Sequence, residues 1–204
     1  MKLRRLITLT LALSVIHSSH AFADVAPGQS MTHMKTTPGL ASTLESIGVI
    51  FYVQGGATSG LIGESVSATN SQVVFHIPIT GSKNGVKHNG SNIVFFNTLN
   101  NSQVQLKNPV IDLAKGIVTA TIPQASNQSI TILNISNSSE LKSKTSTDSR
   151  TRIKSKVYSG AALNLAPGVA GTLNSLLGLA PNSISEGAVF GSTDVTLKRT
   201  VKSR

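Results

Sequence analysis

The chain has 204 residues, and its 18 Lys and Arg outnumber 8 Asp and Glu, giving a formal net charge of +10 at pH 7. It contains no Cys and no Trp, which excludes disulfides and a thiol nucleophile. Only 13% of the residues are charged, whereas Ser, Thr, Asn and Gly are abundant. This composition favours an exported β-rich domain over a helical one.

The N-terminus has the three parts of a secretory signal peptide. Lys2, Arg4 and Arg5 precede an apolar run over residues 6–16, and Ala21-Phe22-Ala23 supplies the cleavage pattern. The apolar run is too short for a membrane span, which needs about 20 residues. We therefore predict a signal peptide over residues 1–23 and a mature protein that is periplasmic or secreted.

The rest of the chain is predicted to form one domain. Residues 24–36 lack periodicity and are predicted to be a mobile leader or an early edge strand. Residues 37–197 are predicted to be a β-rich globular domain, followed by a basic tail over residues 198–204. The uncharged run over residues 161–185 is interrupted by prolines, so we predict no transmembrane span in the mature chain.

Two short segments resemble each other and are both predicted to be helical. Residues 38–47 and 167–176 share Pro, Gly, Ala, Thr, Leu and Ser at equivalent positions. Pro suits the first helical position, and Thr37 is an acceptable N-cap for the first helix. Three explanations of the match stay open. The two segments share a common way of starting a helix by convergence, or they are equivalent helices that close opposite ends of the sheet, or the domain descends from a duplication.

The middle of the chain carries the strongest strand signals. Apolar residues alternate with others over residues 73–79, which places His76 on the face away from the main apolar row. Asn89-Gly90 is predicted to be a hairpin turn between arms 86–88 and 93–96, with Asn84-Gly85 as a loop or bulge.

Further short strands complete the predicted sheet. They are expected over residues 50–53, 103–107, 110–113, 116–122, 129–135 and 188–197, with a long polar loop over residues 137–149. Many short strands with two short helices predict an all-β fold, an antiparallel sandwich or barrel.

The sequence offers no recognisable catalytic or metal-binding motif. There is no G-x-S-x-G nucleophile elbow and no H-E-x-x-H spacing, and the carboxylates are scattered singly. We predict a protein that is not an enzyme, with no catalytic residues and no metal site.

A basic segment is the first candidate binding site. Its cations are Lys142, Lys144, Arg150, Arg152, Lys154 and Lys156, with Asp148 as the only acid among them. Such a segment could contact an anionic surface such as lipopolysaccharide, acidic phospholipid or nucleic acid. The alternative is a solvated loop and an edge strand whose lysines prevent edge-to-edge pairing. Export and the lack of interleaved aromatic residues argue against nucleic acid.

The stretch from Gly85 to Ala120 contains a series of turn and strand motifs. A Gly-x-x-His-x-Gly turn precedes an apolar strand, an Asn-Pro-x-Ile-x-Leu segment and a short closing strand. The residues of these motifs are Gly85, His88, Gly90, Ile93, Phe95, Asn108, Pro109, Ile111, Leu113 and residues 116–120. This order resembles the HtaA-type haem-uptake domain of secreted bacterial proteins. The resemblance implies haem as a ligand. It also implies that a tyrosine of an earlier strand, here Tyr52, would ligate the iron and that His88 would support it.

Three functional hypotheses follow. The first is an exported interaction module that recognises an unknown cell-surface or envelope partner without catalysis. The second is a protein that binds haem or a small apolar ligand near His88 and Tyr52. The third is a structural component of a surface assembly.

Overall fold

The computed structural model of the chain describes residues 29–201. The predicted signal peptide, residues 24–28 of the predicted leader and residues 202–204 of the predicted tail lie outside the described residues. Within residues 29–201, no helix is long and apolar enough to span a membrane.

Twelve strands and two α-helices make up the described part of the chain. In chain order they are β1 (Met31–Thr36), α1 (Leu40–Ser46), β2 (Val49–Gly55), β3 (Thr58–Ile62), β4 (Gln72–Pro78), β5 (Val86–Lys87), β6 (Ser91–Asn97), β7 (Gln103–Asp112), β8 (Ile117–Ile122), β9 (Ser126–Ile135), β10 (Ser143–Asp148), β11 (Ile153–Leu165), α2 (Val169–Leu176) and β12 (Val189–Thr200).

The strands form one antiparallel sheet that nearly closes on itself. Its order is β2-β6-β7-β8-β9-β11-β12-β1-β4-β3, with β5 paired to β7 and β10 paired to β11. The two ends of this order, β2 and β3, are consecutive in the chain and joined by a short turn at Gly56 and Ala57. The sheet edges therefore meet, and the fold is a barrel-like single domain. The predicted all-β class with two short helices is confirmed.

The interior is apolar and its residues alternate along the strands. Four phenylalanines from four strands, Phe51, Phe75, Phe95 and Phe190, pack with ring centroids 5.6–6.5 Å apart. Contacts of this kind add to the stabilisation that the buried area already provides. The core is therefore shared by strands that are far apart in the chain.

Residues 31–36 are a central strand, so for this segment both predicted alternatives, a mobile leader and an early edge strand, are wrong. Strand β1 pairs along its length with β12 on one side and along residues 31–35 with β4 on the other. Thr32, Met34 and Thr36 are buried, and Met34 belongs to the core. Without β1 the sheet would open between β12 and β4.

The two Asn-Gly turns have roles other than those predicted. Strand β5 pairs with β7, so residues 86–88 are not an arm of a hairpin with residues 93–96. Both residues of Asn84-Gly85 have positive φ, 58° and 103°, as a type I′ turn requires. At Asn89-Gly90 only Gly90 does, with φ 81°. The hairpin prediction is therefore wrong.

Residues 103–112 form one strand with a bulge in place of the two predicted strands. The register with β8 shifts between Lys107 and Val110, and Asn108 has a φ of 50°. The bulge reverses which side chains face inward, so that Leu106 before it and Ile111 after it are both buried. Pro109 suits this position because it has no N–H to donate to the ladder.

Both predicted helices are present, but at the same end of the sheet. Strands β1 and β11 each pair antiparallel with β12, so they run parallel and their helices follow at one end. Gly39 and Gly168 cap the helices with φ of 75° and 79°, without a side-chain cap bond. The prediction of Thr37 as N-cap is wrong, and so is the idea that the helices close opposite ends.

The predicted polar loop over residues 137–149 contains a 3₁₀ turn at Ser138–Glu140 and strand β10. The predicted basic tail begins inside β12, which continues to Thr200. Polar and basic residues that were predicted to lie in a loop and a tail are therefore held in strands, in β10 and at the end of β12.

Candidate functional site

His88 is an interior residue, not one at the rim of a turn. Its side chain is 1% exposed. Nδ1 lies 2.9 Å from the Pro109 carbonyl oxygen, and Nε2 lies 2.8 Å from the Thr32 hydroxyl. Because a carbonyl only accepts, Nδ1 carries the proton, and Nε2 accepts from Thr32, which is itself fully buried. Both ring nitrogens are occupied within the protein.

Burial lowers the pKa of His88, and the hydrogen bond to Pro109 opposes this by raising it. The ring is therefore neutral at physiological pH. A neutral imidazole with both nitrogens paired stabilises the fold and has no free lone pair for a ligand.

Tyr52 and His88 lie on opposite faces of the sheet. Phe51 packs into the core, so its neighbour Tyr52 points outward. His88 points inward, to Thr32 on the inner face of β1. The structure does not bring these two candidate residues together.

Two small apolar cavities lie in the core, one lined mainly by strand residues and one between the sheet and the two helices. Their volumes are about 10 Å³ and about 30 Å³, and neither is lined by His88 or Tyr52. A cavity of about 10–15 Å³ accommodates one water. Neither is large enough for haem.

The basic segment is part of a three-stranded ribbon. Beyond the last pair of β12 with β1, at Thr196, the end of β12 pairs only with β11, and β10 flanks β11 on its other side. We call residues 142–158 and 195–200 the basic ribbon. It lies at the end of the barrel opposite the two helices.

The register adds two cations to the six predicted ones. Lys154 lies directly opposite Arg199, and Ser155 opposite Lys198. The ribbon therefore carries eight cations: Lys142, Lys144, Arg150, Arg152, Lys154, Lys156, Lys198 and Arg199. Sequence reasoning missed the last two because it placed them in a tail.

The positive charge of the ribbon is not neutralised within the described part of the chain. Among residues 29–201, the only ion pair joins Lys115 and Asp112, 3.6 Å apart and outside the ribbon. Asp148, the one acid of the ribbon, accepts hydrogen bonds from the backbone N–H groups of Arg150 and Thr151 at the turn. These hydrogen bonds lower the pKa of Asp148; the largest effect comes from the Thr151 side chain and smaller ones from the two backbone N–H groups. Its charge therefore stabilises the tip of the ribbon.

Sequence reasoning also missed a pair of histidines on the outer face. His33 of β1 lies directly opposite His76 of β4, and their Nδ1 atoms are 2.8 Å apart. His76 was correctly predicted to point away from the main apolar row. The pairing could not be predicted while His33 was assigned to a mobile leader.

Comparison of the chain with protein families, with curated proteins and with solved structures finds no match.

Proposed function

We propose that the protein is an exported, non-catalytic binding protein that docks through its basic ribbon on an anionic membrane surface of the cell envelope. The observation that carries the proposal is the concentration of eight cations and one acid in the ribbon, at one end of the barrel.

The arrangement of the strands supports contact with an extended surface. The six cations Lys142, Lys144, Arg150, Arg152, Lys156 and Arg199 are exposed, and Lys154 and Lys198 are half-buried. Lys156 Nζ lies 4.9 Å from the centre of the Tyr158 ring, which keeps its charge on the ribbon. A sheet holds these charges at fixed spacing, so less side-chain and backbone entropy is lost on binding than with a flexible loop.

The magnitude of the attraction is sufficient for reversible docking. Each Lys or Arg near an anionic membrane contributes about 1 kcal/mol, and the attraction falls off within about one Debye length. Several ribbon cations acting together would thus give binding that depends strongly on salt and on the lipid charge. Lipopolysaccharide and acidic phospholipid both present phosphate groups to such a surface.

Vesicle cosedimentation tests the proposal with a charge-matched pair of variants. The ribbon variant carries Lys144→Gln, Arg150→Gln, Lys154→Gln and Arg199→Gln. The control variant carries Lys83→Gln, Lys87→Gln, Lys107→Gln and Lys115→Gln, which removes the same charge outside the ribbon. Vesicles of phosphatidylcholine alone are compared with vesicles that also contain phosphatidylglycerol or lipopolysaccharide.

We expect the unaltered chain to bind only the anionic vesicles and to dissociate at high salt. Loss of four ribbon cations should weaken binding at least about tenfold, since each is worth about 1 kcal/mol, and the control should bind almost normally. Equal weakening in both variants would show that net charge alone acts. Binding to duplex DNA with none to anionic vesicles would overturn the proposal.

Haem binding remains a separate hypothesis that no contact in the described structure favours, because His88 and Tyr52 face opposite ways. Hemin added to the purified protein should then leave the Soret band unshifted. A shift that His88→Ala and Tyr52→Ala both abolish would restore the hypothesis.

A further inference from the structure

We propose that His33 and His76 form a two-imidazole binding site for a divalent transition-metal ion, with Cu²⁺ bound most tightly. The two residues lie in register on adjacent antiparallel strands, and their side chains leave the sheet on its outer face. Their ring centroids are 4.8 Å apart and the rings are nearly perpendicular, at 85°. The sheet holds both donors in place before any ion arrives.

The contact between the rings is already close to what a metal ion requires. With the Nδ1 atoms 2.8 Å apart, one ring donates its proton and the other accepts it. An ion that replaces this shared proton binds both nitrogens at about 2.0–2.1 Å, which separates them by roughly 3.3 Å around tetrahedral Zn²⁺ and by roughly 2.9 Å at adjacent corners of a square-planar Cu²⁺ site. Small side-chain rotations supply this change, because both histidines are only half-buried. The donating ring then changes tautomer through solvent, losing its proton at Nδ1 and gaining one at Nε2, so that both rings stay neutral with Nε2 protonated.

The nature of the donors selects the class of ion. Imidazole nitrogen suits Cu²⁺, Ni²⁺ and Zn²⁺, whereas Ca²⁺ and Mg²⁺ prefer oxygen ligands. Within residues 29–201, no group of three metal-ligating side chains is close enough to hold an ion. The pair therefore supplies two ligands, and water completes the coordination. Among such ions Cu²⁺ binds most tightly to a given set of ligands.

The charges around the pair act in both directions. Asp194 of β12 lies opposite His33 on the side away from His76 and accepts a hydrogen bond from the Gly160 N–H through Oδ1. Its negative charge favours a bound cation. Two lysines on the same outer face oppose cation binding: Lys198 of β12 and Lys35, two residues after His33 in β1. The site is thus one of moderate affinity.

Burial, with the neighbouring ring and Lys198, lowers the pKa of His33, although Asp194 raises it; burial also lowers the pKa of His76. Both rings are therefore largely neutral at pH 7. An incoming ion displaces few protons, and binding weakens only when the pH falls far enough to protonate the pair.

Titration of the tag-free chain with Cu²⁺ and Zn²⁺ tests the site. The variants are His33→Asn and His76→Asn, and the control is Lys35→Asn on the same outer row of β1. Calorimetry measures stoichiometry and affinity, and NMR records which imidazole signals broaden with Cu²⁺. His17 and His20 lie in the predicted signal peptide, so the mature chain carries His33, His76 and His88, and the difference between variants identifies the site.

We expect one Cu²⁺ whose binding is weakened at least about tenfold by either His substitution, as loss of a ligand requires. The Lys35→Asn variant should bind with nearly unchanged affinity. His33 and His76 signals should broaden before the His88 signal, since His88 is buried. Affinity that is equal in all variants, or broadening confined to other histidines, would overturn the proposal. Unchanged circular dichroism would show that a loss of binding does not arise from unfolding.

Discussion

The His88 side chain links its own segment to two strands, β1 and β7. Its ring forms hydrogen bonds with the Thr32 hydroxyl of β1 and with the Pro109 carbonyl in the bulge of β7. The backbone N–H of His88 donates to the same carbonyl, at 3.1 Å. The structure contains no buried side-chain N or O without a partner within the described residues. Removing the ring nitrogens would leave the buried Thr32 hydroxyl without this partner, and the Pro109 carbonyl would keep only the bond from the His88 backbone N–H.

We expect His88→Phe to lower the free energy of unfolding by about 3 kcal/mol, because the Thr32 hydroxyl and the Pro109 carbonyl lose a partner in a buried site. Urea unfolding followed by circular dichroism measures this loss. Adding Thr32→Val to His88→Phe should recover part of it, since an apolar pair leaves fewer polar groups unpaired. A loss well below 1 kcal/mol would contradict the interior role of His88.

At the scale of the elements, the two similar helices differ in how their first turns are satisfied. The Glu186 carboxylate accepts hydrogen bonds from the N–H groups of Gly168 and Gly171 at the start of α2, at 3.0 and 3.1 Å. At the start of α1, the Gly39 N–H donates to the Ser71 carbonyl. The shared Pro-Gly start therefore sets the backbone turn, and distant residues supply the caps.

Glu186→Gln should lower the free energy of unfolding by about 1 kcal/mol, since it removes the charge that favours a helix N-terminus and weakens one of the bonds. Glu64→Gln, at an exposed residue, makes the same change in net charge and should leave stability nearly unaltered. Thermal melting of both variants measures the difference. Equal melting temperatures would show that Glu186 does not cap α2.

At the scale of the whole molecule, the local patterns predicted the class of fold but not the pairing of strands. Alternation identified most strands because burial on one face is recorded in the sequence. The position of β1 depends on β4 and β12, which are far away in the chain, and so Met31–Thr36 was mistaken for a leader. The pairing of β5 with β7 is likewise non-local, and so residues 86–88 were mistaken for a hairpin arm.

The residues of the candidate sites also differ in whether they are neighbours in the sequence or are brought together by the sheet. Six ribbon cations follow each other closely and were predicted, whereas Lys198 and Arg199 join them only through the register of β11 with β12. The His33–His76 pair likewise exists only through the register of β1 with β4. Sequence spacing predicts groups that are local; it cannot predict groups that the sheet assembles.

The three histidines of residues 29–201 also determine how the stability of the whole molecule depends on pH. Burial lowers the pKa of His33, His76 and His88 below the usual 6.5. The unfolded chain therefore binds protons at a higher pH than the folded chain does. Stability is fully present above about pH 6.5 and falls as the pH decreases toward the lowered folded-state pKa values.

Urea unfolding between pH 7.5 and pH 5 measures this dependence. The largest share comes from His88, with a limit of about 1.4 kcal/mol per pH unit for one proton, and the half-exposed outer pair contributes less because solvent screens its charges. Most carboxylates stay ionised over this range, so the histidines dominate the slope. The double variant His33→Asn, His76→Asn should keep a reduced slope, since His88 remains. Stability that is constant from pH 7.5 to pH 5, or that rises as the pH falls, would mean that these rings are protonated in the folded protein.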